Sequence, residues 1–265
     1  SDIDLRYVRG FDMFLQKRGC CGNTRKFYFK ALRAILNRAN AEGVGSVATY
    51  PFGRGGFEVS KLEEATAKRY LPATELSKLK STTASNPQCE YARKLFLFSY
   101  YCYGISFIDM AMLTTAHIKQ MEDGDYIVYK RQKIKRQKGV KPISIKITPA
   151  IRQLIGSLQA ASPTVDDFLL PIVTRSGYTG ERLYMHIRTR YSKYQKYLRL
   201  LAEELGIDFH LTSYVSRHTA AMTLQRNHIP REVISQMLGH ADLETTNIYL
   251  DSFDNEVINE AAKVL

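Results

Sequence analysis

Residues 211–250 read LTSYVSRHTAAMTLQRNHIPREVISQMLGHADLETTNIYL. The apolar spacing predicts two helices, over 212–227 and 230–238. Arg217 then falls in the first turns of the first helix, and His240 follows Leu238-Gly239 at the end of the second. Tyr249 comes nine residues after His240, on a separate short segment. An arginine, a histidine and a tyrosine converging on one point can grip and attack a phosphodiester. A guanidinium offers a fork of donors matched to two phosphate oxygens, and a phenol supplies a nucleophile that needs no metal. Each residue alone says little, because a single tyrosine is usually core filler and a single arginine a surface charge. The span Val233 to Thr246 also suits a helix-turn-helix DNA reader, which would require no chemistry.

Upstream, Leu183, Ile187, Tyr191, Tyr194, Leu198, Leu201 and Leu205 make one stripe of a helix over 181–205. Asn86-Pro87 is a helix start, an amide cap followed by proline at the first helical position. The run from there to Tyr103 is apolar nearly all round, which predicts a central, buried helix. Residues 126–133 and 143–148 alternate β-branched and polar side chains and predict a hairpin. Seven of the twelve residues at 130–141 are basic (Lys130, Arg131, Lys133, Lys135, Arg136, Lys138, Lys141) and none is acidic. On a hairpin tip they would form a cationic finger suited to a phosphate backbone; a solvated loop is the plain alternative. A last helix is expected near 254–264, with Val257, Ile258, Ala261 and Val264 on a stripe able to dock on a neighbouring protomer.

The N-terminal residues are helical by pattern. Ile3, Tyr7, Val8, Phe11, Phe14 and Leu15 are spaced for a helix over 3–18, and Gly19 and Gly22 break it. Thr24 is expected to cap a second helix that stops at Gly43. The glycine-rich stretch Pro51 to Gly56 reads as a loop, residues 60–68 as a short helix, and Pro72 as a boundary. The expected organisation is an all-helical unit over 1–70 and a mixed unit over 71–265, so that the protein is mainly α with a small antiparallel β-sheet. The first unit carries 13 Lys+Arg against 7 Asp+Glu, a net +6. Arg25, Lys26 and Arg33 on its second helix are candidate DNA-backbone contacts.

Composition narrows the function. Of 265 residues, 45% are hydrophobic and 24% charged, which excludes wholesale disorder. No stretch approaches 18 apolar residues without a charge, so no membrane span is expected. Four cysteines are too few and too badly spaced for a disulfide scaffold or a zinc site, and a reducing, cytosolic compartment fits. Cys20-Cys21 reads as a pair of buried small residues. A net charge of +12 points to a polyanionic partner.

Arg217-His218-Thr219-Ala220-Ala221, Leu238-Gly239-His240 and Thr245-Thr246-Asn247-Ile248-Tyr249 together resemble the C-terminal signature of the tyrosine recombinase (phage integrase) family. The helix ending Tyr-Cys-Tyr-Gly-Ile-Ser-Phe-Ile-Asp is most similar to the integrases and invertases of bacterial mobile elements. The resemblance implies an all-helical core-site DNA-binding domain followed by an α+β catalytic domain, the two clamping double-stranded DNA. It implies site-specific recombination in the bacterial cytosol without a cofactor, by a homotetramer on DNA that is monomeric when free.

The same resemblance assigns roles. Tyr249 is the nucleophile that forms a 3′-phosphotyrosyl bond, Arg217 a phosphate-clamping arginine, and His240 a phosphate ligand or proton-transfer aid. A lysine of the hairpin is the general acid for the 5′-hydroxyl. Counting from Gly124 selects Lys133, and counting back from the second strand selects Lys138. The family's first arginine sits three residues before an acid that is here Asp109, and that position is Ser106. Some integrases with serine there supply an arginine two residues before the lysine, here Arg131 or Arg136. Three residues before Arg217, where the family has histidine or lysine, stands Tyr214, a phosphate donor but a poor proton shuttle near neutral pH. Two other functions share these features. A type IB topoisomerase uses the same chemistry, and a DNA-binding accessory protein on a weakened recombinase scaffold uses none.

Overall fold

The computed structural model describes residues 3–64, 69–240, 246 and 250. The chain divides into two compact units, 1–67 and 68–265. The first contains α1 (Leu5–Lys17), α2 (Gly22–Ala41) and a 3₁₀ turn at Val59–Leu62. Val8, Leu15, Phe29, Phe52 and Val59 form its core, with the Phe29 ring 4.5 Å from that of Phe57. Three expectations are corrected here. Cys21, not Thr24, precedes α2, and its side chain makes no cap bond to the helix backbone. Cys21 is exposed and Cys20 half-buried, so the pair is not a core element. The helix expected over 60–68 is a single 3₁₀ turn at 59–62, and positions 65–68 lie outside the described residues.

The second unit is built around α4 (Pro87–Tyr101), where Leu95, Phe96, Leu97 and Phe98 are all buried. A helix that is apolar all round needs neighbours on every side. α6 (Pro149–Ala161), α7 (Gly180–Glu204) and α8 (Val215–Arg226) pack against it, with α3 (Ala73–Ser81) touching it as well. As expected, the Asn86 side chain caps α4 by accepting from the Gln88 and Cys89 N–H groups. Arg93 is buried on α4 but fully engaged, pairing with Glu90 at 2.7 Å and donating to the Leu79 carbonyl.

The sheet has three antiparallel strands, β1 (Ile118–Met121), β2 (Gly124–Tyr129) and β3 (Ile143–Lys146). Ile127 pairs with Ile145 and Tyr129 with Ile143, and all four are buried on one face. The expected hairpin is therefore the outer part of a larger sheet, and its first strand ends at Tyr129 rather than at 133. Residues 130–142 form a long turn-containing connection. α5 (Phe107–Ala111), a 3₁₀ turn at Thr115–His117 and α9 (Arg231–Leu238) complete the described elements. α8 starts at Val215, so residues 212–214 precede it rather than opening it. The helix expected at 254–264 lies outside the described residues.

Candidate active site

The C-terminal end of α9 organises the site. Gly239 closes the helix in the left-handed conformation, at φ 63°. A side chain there would run into Ile143, so glycine serves both the turn and the close approach. The last carbonyls of a helix lack intrahelical partners and carry its negative dipole end. Here two arginines take them. Arg217 donates through NH2 to the Leu238 carbonyl at 2.5 Å, and Arg131 donates through NH1 to the Gly239 carbonyl at 3.2 Å.

Arg217 is only 3% exposed, held from both ends of its guanidinium. NH1 donates to the Gly104 carbonyl at 3.1 Å, and NH2 also donates to His240 Nε2 at 2.8 Å. Hydroxyls of Ser99 and Ser216, 2.7 Å apart, tie the end of α4 to the first turn of α8 beside it. Burial, and then the nearby charge of Arg131, lowers the Arg217 pKa to about 10. It is still cationic at pH 7 by roughly a thousand to one. Burial drives the phenol of Tyr129, behind the site, well above its ordinary value.

The hydrogen bonds fix the form of His240. Arg217 can only donate, so Nε2 accepts and the imidazole is neutral. The ring proton is then on Nδ1, donated to Thr246 Oγ1 at 2.7 Å. Thr246 is fully buried.

Position 106 is a helix cap here. The Ser106 hydroxyl accepts from the Asp109 N–H at 3.3 Å and donates to Asp109 Oδ2 at 2.6 Å. The buried Asp109 carboxylate also accepts from the Gln132 N–H at 2.6 Å. That bond ties the start of the basic connection to α5 and sets the backbone beside Arg131.

Arg131 and Arg217 line a common cleft of about 450 Å³, with Ser106 and Phe107 on one wall and Tyr184, Arg188 and Tyr191 of α7 on another. Tyr214 stands at its edge, 51% exposed, its ring edge-on to His218 at 5.1 Å. The expected residues thus separate. Arg131, Arg217, His240 and Tyr214 come together. Lys130, Lys133, Lys135, Arg136, Lys138 and Lys141 are exposed along the connection and do not line the cleft. Tyr249 lies outside the described residues. Gly104, Thr246, Tyr184 and Arg188 were not anticipated. For Tyr184, Arg188 and Tyr191 the available signal was their i, i+4, i+7 spacing on one side of α7.

In the first unit, Lys26, Lys30, Arg33 and Arg54 surround a cavity of about 660 Å³. Arg25 is not among them. It is paired with Asp12 at 2.9 Å and largely covered, which removes it from the exposed cationic face. Lys26 is paired with Glu63 at 2.6 Å. Among the described residues no three His, Cys, Asp or Glu side chains gather to hold a metal ion, and no helix is long and apolar enough to cross a membrane.

Residues 69–256 match the Phage integrase family, and residues 1–58 match the Phage integrase SAM-like domain. The tyrosine recombinase XerD of Halalkalibacterium halodurans is 43% identical over 54 residues, 20% of this chain and 18% of that protein. The tyrosine recombinase XerC of Rhodospirillum centenum is 31% identical over 114 residues, 43% of this chain and 31% of that protein. The chain thus covers less than a third of either relative's length. Among solved structures, the Tn1549 transposon integrase in complex with transposon right end DNA superposes with a TM-score of 0.67 at 12% identity, over 99% of this chain and 85% of that one. The XerH site-specific recombinase bound to a palindromic difH substrate gives 0.66 at 18% identity, over 99% and 70%. At these identities the likeness is one of fold.

Proposed function

This chain belongs to the phage integrase family, and from that premise we propose that it is a site-specific DNA recombinase that breaks and rejoins strands through a 3′-phosphotyrosyl intermediate. The observation that carries the reading is the convergence of Arg217, Arg131 and His240 on the carbonyl end of α9, with both arginines and Tyr214 lining one cleft. The two guanidiniums there can grip a scissile phosphate, with the His240 imidazole holding Arg217 in place. Tyr249 attacks phosphorus and the 5′-oxygen leaves, so one phosphoester replaces another and the bond energy is conserved. Lys133 protonates the leaving oxygen. Tyr214 donates to the phosphate in place of the family's histidine or lysine. Lys130, Lys135 and Lys141 bear on the DNA backbone, as do Lys26 and Arg33 of the first, DNA-binding unit. The assembly that acts is four copies on two duplexes, each monomeric before it binds. The named relatives are recombinases, so the topoisomerase alternative is not favoured.

Covalent trapping tests the reading. The protein is mixed with duplexes from the ends of its genetic element, nicked so that the short fragment beyond the cleavage site diffuses away. A denaturant-resistant protein–DNA band is expected. Tight, specific binding with no band on any nicked substrate would instead favour an accessory protein.

The choice between Arg131 and Arg136 also decides the lysine. Arg131→Gln should slow single-turnover cleavage by about 10²–10³, the value of one preorganised donor to a developing oxyanion. Arg136→Gln, exposed and outside the cleft, should change it little. The reverse order would move the general acid to Lys138.

A further inference from the structure

A second cavity, of about 410 Å³, lies along α7. The cleft touches this helix through Tyr184, Arg188 and Tyr191, and the second cavity touches it through Arg190, Lys193 and Tyr197. Helical periodicity sets these two groups on different flanks. The volume is in the range of small-molecule sites.

The walls are aromatic, from Tyr91, Phe107, Tyr194 and Tyr197. The Tyr194 ring is 4% exposed, and its buried hydroxyl has no hydrogen-bond partner. A buried phenol normally finds one, so this donor is unexplained by the fold. Arg190 lies 5.9 Å from the centre of the Tyr91 ring. No carboxylate lines the cavity, and among the described residues neither Arg190 nor Lys193 has an ion-pair partner. Burial first, and then the charges of Arg190, Arg175 and Lys193, hold the nearby His186 imidazole below its ordinary value.

We propose that this cavity binds a small organic anion with a flat apolar body, in chemical class an aromatic carboxylate. The ring packs between the aromatic walls, and the carboxylate faces Arg190 and Lys193. Binding has a route to the cleft. Phe107 lines both cavities, stacks on Tyr194 at 5.1 Å and contacts Tyr191 at 5.3 Å. It is also the first residue of α5, next to the Ser106 cap and two residues from the Asp109 that fixes the Arg131 segment. The ligand therefore adjusts strand cleavage, a consequence that rests on the recombinase reading; the binding itself does not.

The test is calorimetric titration of the DNA-free protein with 2-naphthoate, with uncharged 2-naphthylmethanol in parallel. Saturable 1:1 binding of the carboxylate is expected, about tenfold tighter than the alcohol and weakened about tenfold by Arg190→Gln. Arg190 is partly exposed, so this variant should keep the parent's melting temperature and circular dichroism. Absence of saturable heat up to about 1 mM naphthoate would overturn the proposal, as would equal binding by Arg190→Gln. Weakened DNA binding by Arg190→Gln without naphthoate binding would also overturn it, by giving these cations to the phosphate backbone. None of these readings depends on cleavage, so failure of the recombinase function would leave the binding result standing.

Discussion

Tyr249→Phe is expected to give no covalent protein–DNA adduct on nicked duplexes, with DNA affinity unchanged within about twofold. Affinity should survive because it is spread over many phosphate contacts, to which one phenol adds little. Chemistry should not, because the only atom lost is the attacking oxygen. Ionising a phenol of reference pKa about 10 at pH 7 costs roughly 4 kcal/mol. A cation brought beside a phenol offsets part of such a cost by favouring the phenolate, and a positioned general acid adds about 10²–10⁴ in rate. Tyr214 is the competitor to exclude, because it is half-exposed at the edge of the cleft that holds Arg217. A denaturing gel of both variants separates them. An adduct that persists in Tyr249→Phe and disappears in Tyr214→Phe would move the nucleophile to position 214.

The sequence was most legible where local chemistry and tertiary structure agree. Asn86-Pro87 announces α4 because cap and proline act within one turn, and the all-round apolar run that follows can only be central. Thr148-Pro149 carries the same message for α6, and the Thr148 hydroxyl caps that helix. Arg217 and His240 were legible as a pair because the signature carrying them is long and ordered. What stayed hidden depends on distant partners. Arg25 looks like a free cation until Asp12, thirteen residues earlier, closes on it. Against the family pattern Ser106 shows only an arginine lost, whereas its hydroxyl is the N-cap of a five-residue helix too short to show a period. The basic run at 130–141 looked uniform. Only the bond from Gln132 to Asp109, with the carbonyl end of α9, singles out Arg131 from its neighbours.

Arg217→Lys is expected to lower single-turnover cleavage by about 10²–10³ at a temperature where the variant is still folded. A lysine carries the charge but not the fork. One ammonium cannot serve the Gly104 and Leu238 carbonyls and His240 Nε2 together and still present donors to a phosphate. Leaving a buried carbonyl unpaired costs about 1–3 kcal/mol, so a lower melting temperature should accompany the loss of rate. Gly104→Ala tells the two effects apart. Gly104 sits at φ 71°, and a methyl there would overlap the Cα, Cβ and Cγ of Arg217. The left-handed backbone costs an alanine roughly 1–2 kcal/mol and overpacking about 1–3 kcal/mol more, while the guanidinium itself is retained. If Arg217 acts on phosphate, Arg217→Lys should lose far more rate than Gly104→Ala at matched stability. If it only caps α9, the two variants should lose rate in proportion to stability, and lysine should cleave nearly as well as arginine once the protein is folded.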